Sequence, residues 1–142
     1  MAVDINKIKN KIFADKSKSM LSDNIINLLN FRINEEEKSS RIYLAMHLWL
    51  EDKGYFNSSK LWKKYSEEEL VHAKKASDFL LAFGIMPDIL PIQSVDVDYK
   101  SLVDIIKQSF EHETEVSRQC EELYKAAVED GNPMVIELAE IS

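Results

Sequence analysis

Residues 59–83 read SKLWKKYSEEELVHAKKASDFLLAF. Trp62, Ser66, Glu69, His72, Ala76, Phe79 and Phe83 recur at steps of three and four, which marks one face of a helix with about 3.6 residues per turn. The spacing predicts a helix from about Ser59 to Phe83, with Gly84 as its stop. Most of that face suits a core. Glu69 and His72 do not, yet both lie in it, one turn apart. A buried carboxylate is very unfavourable unless it is paired, protonated or bound to a metal. The same stretch therefore predicts a bundle helix and poses a question about its chemistry.

The pattern repeats on either side. Ser22 or Asp23 can cap a first helix running to about Lys53, where Gly54 ends it. Its stripe is Leu29, Ile33, Glu36, Ser40, Tyr43, His47 and Leu50. Ser101 can cap a third helix running to about Asp130, closed by Gly131, with the stripe Leu102, Ile106, Ser109, Glu113, Val116, Cys120, Leu123 and Ala127. Asn132-Pro133 opens a fourth helix, proline being well placed in a first turn. Only about two turns of it precede Ser142. Between helices two and three, residues 85–99 hold Pro87 and Pro91 and alternate apolar with polar. They predict a long extended crossover that lets helices two and three run parallel. The fold class is an all-α four-helix bundle with one long crossover and a truncated fourth helix.

Composition supports this and bounds the rest. The chain has 142 residues, 45% hydrophobic and 30% charged, with 3 Gly, 3 Pro and 1 Cys. So few turn residues argue against an all-β fold, and the length suits one domain. One cysteine permits neither an internal disulfide nor a cysteine zinc cluster. The net charge of −7 speaks against a nucleic-acid partner, which needs a basic face. No apolar run is long enough for a membrane span, and the start MAVDINKIKN lacks a leader's apolar region, so the expected location is the cytoplasm. Residues 1–20 form a lysine-rich arm with Lys7, Lys9, Lys11, Lys16 and Lys18, and Ile5, Ile8 and Ile12 at helical spacing. The arm is either a frayed terminus or a docking segment. Residues 21–142 form the bundle domain.

Three helices thus each point a carboxylate inward near mid-length: Glu36, Glu69 and Glu113. No Arg or Lys is expected on these stripes near them, so a bound cation is the natural relief for their repulsion. Three carboxylates and the His72 imidazole suit iron or manganese, and carboxylates able to bridge suggest two ions. Of Glu35, Glu36 and Glu37, only Glu36 points in. Glu111 and His112 are read as surface, His47 as a hydrogen-bonded core histidine, and Cys120 as a small core hydrophobe.

At this point the sequence resembles a non-haem ferritin. INEEEKSSRIYLAM (33–46) is similar to the first ferritin helix, EEELVHAKK (67–75) to the second, FEHE (110–113) to the third-helix site, and DGNPMVIELAE (130–140) to the turn into the fourth. A Glu on each of two helices with Glu-x-x-His motifs is the ligand pattern of ferritin-like di-iron proteins. The resemblance implies that Glu36, Glu69, His72 and Glu113 ligate a di-iron centre, with Glu69 bridging. Tyr43 would hydrogen-bond a ligand and donate an electron. Glu68 would be an accessory site, and Glu137 and Glu140 would line an iron-entry channel. Val71 and Lys74 stand where some ferritins carry Glu. The implied activity is Fe(II) oxidation by dioxygen or peroxide, a ferroxidase reaction, for iron storage in a homo-oligomeric shell. In such proteins the fourth helix continues, supplies a further ligand and is followed by a fifth; most of the fourth and all of the fifth are missing from this sequence. The competing expectation is a non-enzymatic structural or interaction subunit that binds a partner through its arm or open groove. A carboxylate oxygenase or reductase is a third, though such proteins carry a second Glu-x-x-His on the fourth helix.

Overall fold

The computed structural model describes residues 4–6 and 21–141, except for the side chains of 140 and 141. Most of the expected N-terminal arm, including the helix through Ile8 and Ile12, lies outside the described residues. Four helices follow: α1 (Asp23–Asp52), α2 (Phe56–Ala82), α3 (Leu102–Asp130) and α4 (Pro133–Ile141). Among the described residues no helix is long and apolar enough to cross a membrane.

Local chemistry sets most of the boundaries. The Ser22 hydroxyl accepts from the Ile25 amide at 3.2 Å, and the Ser101 hydroxyl from the Asp104 amide at 3.1 Å, so both expected caps form. Asn132 Oδ1 accepts from the Met134 amide at 3.0 Å and opens α4. Gly131 ends α3 in the left-handed region at φ 66°, where its amide reaches the Ala127 and Val128 carbonyls. One boundary differs. Helix α2 begins at Phe56, three residues before the expected Ser59. Gly54 turns the chain at φ 85°, and the Tyr55 amide closes onto the Leu50 carbonyl at 2.9 Å. Ser59 is therefore already inside the helix, its amide bonded to Tyr55 O at 2.8 Å.

Helices α1 and α2 form an antiparallel hairpin. Two apolar clusters show the direction of the rest. One gathers Ile25 and Leu29 from the start of α1, Leu80 from the end of α2, Leu123 and Ala127 from the end of α3, and Val135 of α4. The other gathers Met46 and Leu50 from the end of α1, Trp62 from the start of α2, and Ile105 from the start of α3. Helices α2 and α3 therefore run parallel, and the irregular crossover between them makes this possible. It is pinned to α1 by Asn30 Oδ1, which accepts from the Asp88 amide at 2.9 Å, and by Asn34 Nδ2, which donates to Pro91 O at 3.3 Å.

A polar layer separates the two clusters. Ser40 and Ser66 meet there with hydroxyls 3.0 Å apart, and small side chains let α1 and α2 approach closely. Helix α3 departs from its expected stripe. Ile105 is 0% exposed while Ile106 is 50% exposed, and Gln119 is buried whereas Cys120 is only half-buried. The face of α3 that meets α1 runs through Ile105, Ser109, His112, Val116, Gln119 and Leu123. Ile106, Glu113 and Cys120 lie on its flank, because α3 packs chiefly on α1 and α4, not on α2.

Candidate metal centre

The polar layer holds the expected carboxylates. Glu36 on α1 is 5% exposed and Glu69 on α2 is 8% exposed. His72, one turn beyond Glu69, is half-buried. Each of these three side chains offers a ligand atom within 4.8 Å of the others. His72 Nδ1 lies 3.6 Å from Glu36 Oε2 and 3.5 Å from Glu69 Oε2. Those two Oε2 atoms are buried and have no hydrogen-bond partner. An unsatisfied buried polar atom costs about 1–3 kcal/mol, so two of them beside one imidazole fit a cation.

The absence of a nearby basic side chain is not borne out. Arg32, 3% exposed, donates to Glu36 Oε1 through one guanidinium nitrogen and to Gln119 Oε1 through the other. Arg32 stands four residues before Glu36 and three after Leu29, so helical spacing admits it to the same stripe as Ile33. The guanidinium satisfies one oxygen of Glu36 and leaves the other free.

Glu113 stands at the edge. It is exposed and lies outside the three-residue group, because α3 presents its flank here. It lines two clefts that also contact Glu69. One, of about 360 Å³, is lined by Glu36, His72, Cys120 and Tyr124 among others; the second, of about 440 Å³, by Tyr43, Trp62, Tyr65 and Glu68. Tyr43, buried, donates its hydroxyl to Glu113 Oε1. Burial, then the hydrogen bond to Glu113, pushes the Tyr43 phenol far above its usual range. Burial, then the neighbouring Glu36 carboxylate, pushes the Glu69 carboxyl well above the ordinary carboxylate range. Without a cation, Glu69 therefore keeps a proton at neutral pH.

His112 differs from its surface reading. It is half-buried, with Nε2 2.8 Å from Ser39 Oγ and its ring edge-on to Tyr43 at 5.7 Å. Burial lowers its pKa. Steps of three and four from Ser109 and Val116 admit His112 as readily as Glu113, which is the signal that could have found it. His47 is the core histidine expected, with Nδ1 2.8 Å from both Ser59 O and Ser59 Oγ. Cys120 is a cleft wall more than a core filler. Glu35 and Glu37 are half-buried, and Glu111 is exposed. Glu68 is exposed, 3.9 Å from Lys64. Glu137, Val71 and Lys74 are exposed too, and Lys74 pairs with Asp78 at 2.5 Å. The Glu140 side chain lies outside the described residues.

An all-α bundle with a mid-length layer of carboxylates and a Glu-x-x-His pair defines the ferritin-like class of helical proteins. Residues 26–140 match the ferritin-like domain family, and the chain belongs to it. Among its relatives is the protein of Haemophilus influenzae named "Probable bacterial non-heme ferritin-like protein", 32% identical over 111 residues, covering 78% of this chain and 67% of that protein. The bacterial non-heme ferritin of Bacteroides fragilis is 30% identical over 108 residues, covering 76% of this chain and 68% of that protein. The chain thus spans about two thirds of the length of these relatives. The fold also matches the open pore ferritin of the archaeon Archaeoglobus fulgidus, with a TM-score of 0.82 at 24% identity, covering 84% of this chain and 74% of that one.

Proposed function

We propose that this protein takes Fe(II) as substrate at Glu36, Glu69 and His72 and oxidises it to Fe(III) for storage, as a homo-oligomeric ferritin. The carrying observation is the pair of buried, unpartnered Oε2 atoms beside His72 Nδ1. Glu69 and Glu113 line the same two clefts, so they would serve a second ion of a di-iron centre. Each Fe(II) gives up one electron; two electrons reduce dioxygen to peroxide, or peroxide to water. Glu69 releases its proton when a cation arrives, and the adjoining cleft gives that proton a route to water. Tyr43 holds Glu113 in place through its hydroxyl and is a candidate electron donor. Glu68 is proposed as an accessory site, and Glu137 and Glu140 as channel residues, on family likeness alone.

The Arg32–Glu36 pair favours one competing reading, in which the guanidinium satisfies the carboxylate in an interaction subunit without turnover. It leaves Glu36 Oε2 and Glu69 Oε2 unexplained. Anaerobic Fe(II) loading followed by an oxygen pulse separates the two. Wild type should oxidise iron and Glu69→Ala should not; equal rates would remove the site assignment. A particle of hundreds of kilodaltons would support the shell, and a small hetero-complex the competing reading.

A further inference from the structure

We propose that His112 is a positioning residue of this centre. Anchored by Ser39, its ring holds the Tyr43 side chain in place, so that the Tyr43 hydroxyl stays on Glu113 and Glu113 stays turned to the clefts beside Glu69. This inference rests on the proposed ligand role of Glu113 and adds the residues that set its direction.

Glu113 needs a hold. It is exposed on the flank of α3, where a free glutamate has several rotamers open to water. Among the described residues its one hydrogen bond is the one it accepts from Tyr43. The other rim carboxylates lack such a hold. Glu121 lines the first cleft and Glu68 the second; both are exposed, and Glu68 lies 3.9 Å from Lys64 instead. Tyr43 in turn is 2% exposed, with its ring flanked by Tyr65 of α2 at 5.8 Å and by His112 of α3, edge-on, at 5.7 Å. Each ring contact is modest, but each blocks one direction in which the phenol can swing. Without the His112 ring, Tyr43 has room on the α3 side and its hydroxyl can leave Glu113. His112 is itself fixed: its Nε2 lies 2.8 Å from the hydroxyl of Ser39, which is 1% exposed. Ser39 and Tyr43 are one turn apart on α1, and His112 and Glu113 are neighbours on α3. The pairs Ser39–His112 and Tyr43–Glu113 therefore form a two-point clasp at one helix crossing. A single hydrogen bond would leave the Tyr43–Glu113 pair free to pivot; the second bond, with the imidazole between, sets its direction.

The test labels the full-length chain with meta-fluorotyrosine and follows the Tyr43 signal by fluorine NMR, with Tyr43→Phe as the assignment. In metal-free protein, Glu113→Gln should shift that signal. His112→Ala should shift it too and abolish its further response to Glu113→Gln. His112→Phe returns a ring edge and should restore the response. Co(II) titration, followed by visible absorption, then reads the site. His112→Ala should weaken the Co(II) binding that depends on Glu113 by about threefold to tenfold, and should have no effect in the Glu113→Gln background. Circular dichroism checks folding; if His112→Ala fails to fold, Ser39→Ala serves instead, with the same expected changes. A Tyr43 signal that ignores the folded variant, or additive losses from it and Glu113→Gln, would overturn the role of His112 while leaving Glu113 a ligand. Co(II) binding that Glu113→Gln does not change would overturn the ligand role of Glu113, and this inference with it, even where the fluorine spectra show the clasp.

Discussion

Glu69→Gln should stabilise the metal-free protein while removing its response to metal. Glu69 is buried, with one oxygen unpartnered, and its carboxyl is held protonated well above the ordinary value of 4.5. In the unfolded chain the carboxyl loses its proton near that ordinary value. From there up to its raised folded value, the native state binds one proton more than the unfolded state. Stability therefore falls as pH rises through that window, by about 1.4 kcal/mol per pH unit. Between about pH 5.5 and about pH 7.5 the upper bound is about 2.7 kcal/mol. Water in the clefts beside Glu69 and sharing of the proton with Glu36 reduce this to about 1–2 kcal/mol. Glutamine keeps the shape and does not titrate. Urea unfolding with a chelator, at fixed protomer concentration, should find the stability advantage of Glu69→Gln over wild type growing by about 1–2 kcal/mol between about pH 5.5 and about pH 7.5. With Co(II) at about a hundred times its dissociation constant, wild type should gain about 2.7 kcal/mol and overtake the variant. Parallel pH profiles, or a variant less stable than wild type without metal near pH 7.5, would refute the reasoning.

Other substitutions probe the scaffold around the site. Ser59 is fully buried and its hydroxyl donates to Glu51 Oε2 at 2.6 Å beside His47, so Ser59→Ala should lower urea stability by about 1–2 kcal/mol. Leu80 is 0% exposed in the cluster that joins all four helices; Leu80→Ala should lose about 2–5 kcal/mol. Its neighbour Leu81 is exposed, and Leu81→Ala should change unfolding by less than about 1 kcal/mol. A Cβ at Gly131 would meet nothing within 4 Å, but the residue sits at φ 66°. Gly131→Ala should therefore cost about 1 kcal/mol from backbone conformation alone, visible as a lower melting temperature with an unchanged far-ultraviolet spectrum.

The sequence by itself determined the helices. Their starts and stops are local matters: a hydroxyl at Ser22 or Ser101, a left-handed glycine at position 131, and stripes that repeat at the helical period. Glu36, Glu69 and His72 were legible because polar groups in an apolar stripe are rare and each sits within one helix. The start of α2 was not, because the turn before Ser59 carries none of the stripe, and the Ser59 hydroxyl is taken up by His47 and Glu51 across the hairpin. Arg32 and His112 were missed for a related reason. A spacing of three and four admits two neighbouring positions at each turn, and sequence cannot say which of them a partner helix will cover. Leu29 and Glu36 are joined as well by Arg32 as by Ile33; Ser109 and Val116 as well by His112 as by Glu113. Tertiary structure decided by setting α3 against α1 and α4, which buried Gln119, half-buried His112 and turned Glu113 to the cleft edge. That placement brings Gln119 to the guanidinium of Arg32, giving a buried charge at the centre partners from two helices, a combination no single helix encodes.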